Sequence, residues 1–243
     1  MKSTLPATHL LRQFLLFVLT VVFLLTLIRA AYGLWQYPKL ADSDALVPLF
    51  LQGLRYDIAL VGLVCIVPVI LGTLLSMLDT TRLFARFLIT LFLTGGLLLV
   101  LLLELITPWF LQTQGLRPDL QLLNGVENPG SVLSTIVSEH AIPLAVGALL
   151  CVLILIAFWS RMELQRFLKY RLSVPAALLL AILGGLACVV AIRSNVDLRS
   201  PALSLADSQI STDETVNDLA LNTAYKTLYS LLPELNSRLL TTE

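Results

Sequence analysis

Apolar residues fall along this chain in long, almost unbroken blocks, parted by short polar stretches. The first block runs from about Phe14 to Trp35, with Arg29 its only charge. The second is uncharged from Ile58 to Leu78, and the third from Phe87 to Leu103, where it meets Glu104. A fourth extends from Ala141 to Ser160 and a fifth from Leu172 to Ile192. Each approaches or exceeds the roughly 20 apolar residues that a helix needs to cross a bilayer. Helices satisfy every backbone N–H and C=O internally, which hydrocarbon demands. The alternating pattern of a transmembrane barrel is absent. The pattern predicts an all-α integral membrane protein with five spans, at about 14–35, 56–78, 87–106, 141–160 and 172–192.

Composition agrees. Apolar residues make up 57% and charged residues 13% of the 243 positions, with mean hydropathy +0.87, far from a soluble domain. Sixteen basic residues balance sixteen acidic ones, so no overall charge draws the chain to nucleic acid. Lys2 and Arg12 before the first block, and Ala30-Ala31 near its end, also resemble a signal peptide. The apolar run exceeds a usual h-region, which favours a retained span.

Basic residues set the orientation. Lys2 and Arg12 flank the N-terminus, Arg82 and Arg86 occupy the short second loop, and Arg161, Arg166, Lys169 and Arg171 crowd the fourth. The N-terminus is therefore expected in the cytoplasm and the C-terminus outside. The expected domains are a five-helix membrane domain, 1–192, and an external segment, 193–243, made of a linker and an amphipathic helix. Within the latter, Ser211 and Glu214 form a candidate capping box. Leu221, Tyr225, Leu228 and Leu232 make an apolar stripe that Pro233 should end or kink. Between spans three and four, Trp109 and Phe110 form a candidate interfacial anchor after Pro108. Asn128-Pro129-Gly130 reads as a turn between two short helices. Leu116, Leu120 and Leu123, then Val132 and Ile136, stand at helical spacing. These helices lie on the outer membrane face or pack on the bundle.

Four ionisable residues fall in the outer leaflet. Arg29 lies roughly 9 Å below the interface at 1.5 Å per residue. Arg55 and Asp57 open the second span, and Glu104 closes the third. Charges at this depth are expensive, tend to pair and often mark function. Arg29, Arg55, Asp57 and Glu104 are thus either a set of structural ion pairs or a lipid-headgroup site in which an arginine holds a phosphate. Catalytic and metal-ligating patterns are missing: there is no P-loop and no HExxH. His9 and His140 fall on opposite sides, and Cys65, Cys151 and Cys188 sit within apolar runs without metal-ligand spacing. Gly95-Gly96 and Gly184-Gly185 suit close helix packing.

The segment Gly53-Leu54-Arg55-Tyr56-Asp57-Ile58 resembles the "GLRYD" feature of the lipoteichoic acid synthase family, membrane-bound phosphoglycerol transferases with a sulfatase-like domain. Arg117-Pro118-Asp119 is similar to that family's "RPD/RPN" region. Val216-Asn217-Asp218-Leu219-Ala220-Leu221-Asn222 with Tyr225 and Leu228-Tyr229-Ser230 resembles the "vN-lalN-ly-ly" helix before its catalytic domain. The resemblance implies an anchor and lipid-presenting module in a bacterial cytoplasmic membrane, with anionic phospholipid as partner. In the complete protein, a domain of alkaline-phosphatase type would carry a threonine nucleophile and manganese or magnesium. It would transfer glycerol phosphate from phosphatidylglycerol. No residues here match that domain. The expectation is a membrane part that is inactive alone, from an interrupted chain or one served by a separate catalytic partner. The alternative is a non-enzymatic module that binds lipid headgroups or a partner protein. A small transporter is disfavoured by the lack of internal repeats.

Overall fold

Leucine-rich blocks with so few polar side chains close their backbone hydrogen bonds locally, and most of the described residues are helical. The computed structural model describes residues 4–5, 7–119, 129–162, 171–197, 199 and 201–240. Helix α1 is Ala7–Trp35, α2 Tyr37–Ser43 and α3 Leu46–Val67, the last continued by a π-helical turn at Pro68–Gly72 and by Thr73–Leu75. Helix α4 is Arg82–Thr113, α5 Pro129–Glu139, α6 Ala141–Arg161 and α7 Val174–Arg193. A 3-10 turn, Leu205–Ser208, precedes α8, Glu214–Ala220, and α9, Thr223–Leu240. The only strand pairing among the described residues is a two-residue parallel clip, Thr4–Leu5 with Arg171–Leu172.

Among the described residues, five helices are long and apolar enough to cross a membrane: Thr8–Trp35, Leu46–Leu75, Arg82–Thr113, Ala141–Arg161 and Val174–Arg193. Three exceed their expected bounds by more than a residue. The first begins at Thr8, six residues before position 14, the second begins ten residues before position 56, and the third runs from Arg82 past Pro108 to Thr113. Hydropathy stops at charges, whereas a helix continues wherever its polar side chains find partners. Phe110 is buried at 2% exposure and meets Trp109 edge to face, so it is no lipid anchor. Pro129 lies in the opening turn of α5 instead of closing a turn, consistent with proline's tolerance at a helix start. Leu120, Leu123 and Asn128 lie outside the described residues.

The chain divides into two compact units. The first comprises Met1–Leu25, Asp57–Leu99 and Ile154–Leu203. Here α1 buries Leu10, Gln13, Phe17, Val21 and Leu25, one stripe at spacings of three and four. Small residues set the helix contacts, as expected where lipid supplies no hydrophobic drive. A Cβ on Gly62 would stand 2.9 Å from the Cys188 carbonyl oxygen and 3.0 Å from the Ala191 Cβ. Gly96 backs onto Val64 and Gly184 onto Val69, while Gly95 has no such neighbour among the described residues. Pro68 withholds an N–H from the helix ladder, and the wider π turn starts at it.

The second unit comprises Thr26–Tyr56, Val100–Leu153 and Ser204–Glu243. Its core joins Tyr32, Leu40, Ala45, Leu49 and Leu111 to Val216, Leu219 and Ala220 of α8. The expected linker is docked near its end. Ser204 and Asp207 form a capping box, the Tyr56 hydroxyl donates to the Ser204 carbonyl (2.8 Å), and Gln52 donates to that of Asp207 (2.6 Å). The Ser211–Glu214 box does not form. Glu214 is the first helical residue, so Asp213 is the cap and accepts from Thr215 N (2.7 Å) and Val216 N. Helix α9 continues through Pro233, and Leu221 lies before it, so the expected stripe is divided between α8's end and α9.

Candidate functional site

The C-terminal half of α4 carries two polar residues on its buried face, Glu104 and Thr107. Pro108 has no N–H, so the Glu104 carbonyl four residues back loses its helical donor. The Tyr32 hydroxyl donates to that carbonyl at 3.0 Å. The Glu104 carboxylate receives Arg117, whose Nη1 lies 2.8 Å from both Oε1 and Oε2. Thr223 N, at the start of α9, donates to Oε1 at 3.0 Å.

Arg117 is 1% exposed and fully engaged. Nη1 also donates to Thr223 Oγ1 (3.0 Å), Nε donates to the Asp218 carbonyl (3.1 Å), and its backbone N–H donates to the Asp218 carboxylate. Its guanidinium stands 5.2 Å from the Tyr32 ring centroid, within cation–π range. Burial disfavours its charge, but Glu104, then Tyr32 and Asp218, outweigh that and hold the guanidinium above its ordinary pKa. Lys226 Nζ closes the cluster at 2.9 Å from Asp218 Oδ1, also donating to the Arg117 carbonyl (2.9 Å) and approaching Asp119 Oδ2 (3.8 Å). Thr107 and Thr223 share a hydrogen bond of 2.7 Å. Two buried cations thus face two buried carboxylates, with Asp119 at the margin.

The two asparagines of the tail motif are structural. Asn217 Oδ1 accepts from Ile210 N and Ser211 N, and its Nδ2 donates to the Ser211 carbonyl. Asn222 Oδ1 accepts from Tyr225 N at 2.7 Å and caps α9. Tyr225 packs between Tyr56 and Tyr229, with centroids 5.1 and 6.0 Å away.

Of the four charges expected in the outer leaflet, Glu104 lies at the centre of this cluster. Arg29 is buried against α3, donating to the Gly53 carbonyl at 3.2 Å, and a Cβ on Gly53 would collide with its guanidinium. Arg55 is exposed and donates to Gln52 at 2.9 Å. Asp57 is fully buried and belongs to the first unit. The partners of Glu104 were not legible from the spans. One signal pointed to Tyr32: it continues the stripe Val21, Leu25, Arg29 on α1. Among the described residues no group of three or more His, Cys, Asp or Glu could hold a metal, and the three cysteines are free thiols. The cluster fixes the tail to α4.

No protein-family model matches the chain, and no solved structure matches it.

Proposed function

We propose that this multi-pass membrane protein is the anchor and lipid-presenting part of a phosphoglycerol transferase of the lipoteichoic acid synthase type, in a bacterial cytoplasmic membrane. The carrying observation is the docking of the tail. The residues that resemble the helix before the catalytic domain are bound to α4 through Arg117, Glu104, Asp218 and Lys226. A chain held this way leaves the membrane at a fixed place. A catalytic domain, covalently attached or separate, would then be kept at headgroup height, and restricting its position raises its effective concentration at the lipid. Phosphatidylglycerol is the expected lipid partner, and manganese or magnesium would belong to the catalytic domain.

The test joins a soluble sulfatase-like phosphoglycerol transferase domain after Glu243 and reconstitutes the fusion in phosphatidylglycerol liposomes. Glycerol phosphate transfer should exceed that of the untethered domain by roughly a hundredfold. Glu104→Leu should remove most of the gain. Equal rates for tethered and untethered domains would overturn the proposal.

A further inference from the structure

Within the first unit, the start of α4 and the end of α6 border an open cleft of about 520 Å³. Leu83, Phe84, Phe87 and Trp159 supply its apolar walls, and Arg86 and Thr90 its polar groups. The four apolar side chains are each about half exposed or more, as expected for surfaces facing lipid. Two nearby arginines differ sharply. Arg82 is engaged by Asp79 at 2.9 Å. Arg86, half-buried on the cleft wall, makes no ion pair or side-chain hydrogen bond with any described residue. One helical turn further along α4, the Thr90 hydroxyl oxygen is buried and also lacks a hydrogen-bond partner.

We propose that this cleft binds one anionic phospholipid of the cytoplasmic leaflet. The guanidinium of Arg86 would take the phosphate, with the Thr90 hydroxyl as a second donor after a change of rotamer. An acyl chain would lie along Phe87, Leu83 and Trp159. Three features favour this occupant. The basic loops place the cleft at the inner membrane surface, where anionic lipids concentrate. Guanidinium is suited to phosphate by charge and by its fork of donors. The walls are hydrocarbon and aromatic, matching a tail below a charged head. This site is distinct from the outer-leaflet presentation proposed above and does not depend on it.

Trp159 makes the test direct, because the chain has three tryptophans and two can be replaced. The full chain carrying Trp35→Phe and Trp109→Phe is reconstituted in vesicles containing phosphatidylglycerol or phosphatidylcholine with brominated acyl chains, at equal mole fraction. Trp159 fluorescence should be quenched with about fivefold preference for the anionic lipid. Arg86→Gln should abolish the preference, while Arg82→Gln should leave it, since Arg82 is already engaged. Equal quenching by both lipids, or a preference that survives Arg86→Gln, overturns the site. Absence of quenching by either lipid also overturns it, because the chain itself would then cover the cleft. Circular dichroism checks each variant. If Arg86→Gln does not fold, Arg86→Lys decides: the preference must persist, and its loss overturns the proposal.

Discussion

The two units illustrate two different ways of holding helices together. In the first, contact is made by missing atoms: Gly62 lets α3 approach the Cys188 carbonyl, and Gly96 and Gly184 each receive a valine. In the second, contact is made by buried charge, with Arg117 enclosed by Glu104, Asp218, Thr223 and Tyr32. Glycine packing is tolerant of partners but intolerant of bulk. A buried ion cluster accepts only its own complement, since removing one member strands another charge. The second arrangement is suited to fixing one register between a polar tail and a membrane helix.

The largest effect that would break this contrast is expected from Glu104→Leu. It leaves Arg117 buried without its carboxylate and should cost about 3–5 kcal/mol, read by denaturant unfolding in detergent and by proteolysis of the tail. Adding Arg117→Met should recover most of that loss, because an apolar pair of similar volume carries no stranded charge. No recovery would mean that the cluster contributes more than mutual neutralisation.

Gly62→Ala tests the other unit. Its methyl would meet a backbone oxygen, so the helices must separate, at about 1–3 kcal/mol. The tail's protection from protease should be less affected than in Glu104→Leu. A smaller effect sharpens the role of Pro108. Tyr32→Phe should cost about 1 kcal/mol by orphaning the Glu104 carbonyl. In a Pro108→Ala background the restored helical N–H should reduce that cost toward zero, a coupling that a double-mutant cycle measures directly.

The last effect is a pH dependence. Burial, then Tyr229 and Asp207, push the Tyr225 phenol up to about 12. The folded state therefore binds this proton more tightly than the unfolded chain. Its contribution is whole below pH about 10 and is lost as pH rises from there through about 12. Loss of tail protection should follow phenolate absorbance over that window, and Tyr225→Phe should remove this part of the dependence.

Much of the fold was legible because its causes are local. Helix α6 reads as Ala141–Ser160 in the hydropathy and ends at Arg161 in the structure, one residue later. Helix α3 starts at Leu46, earlier than the hydropathy predicts, because Arg55 and Asp57 interrupt the apolar run. The backbone there registers no break: one residue turns outward and the other is buried. At the site, Glu104 was visible as a charge within a span, but its counter-ion was not. Arg117 lies in a loop where a cation is unremarkable. Lys226 and Asp218 sit in a tail that looks solvated by composition.

The amino-acid sequence alone determined that the chain is helical and membrane-spanning, since backbone satisfaction in hydrocarbon is settled within about 20 neighbouring residues. Only the tertiary structure decided which charges meet. Arg117 and Asp218 are 101 positions apart, and Glu104 and Thr223 are 119 apart. No periodicity carries information over such separations. Charge pairing inside a low-dielectric site depends on distances of a few ångströms, and those exist only once the helices have packed.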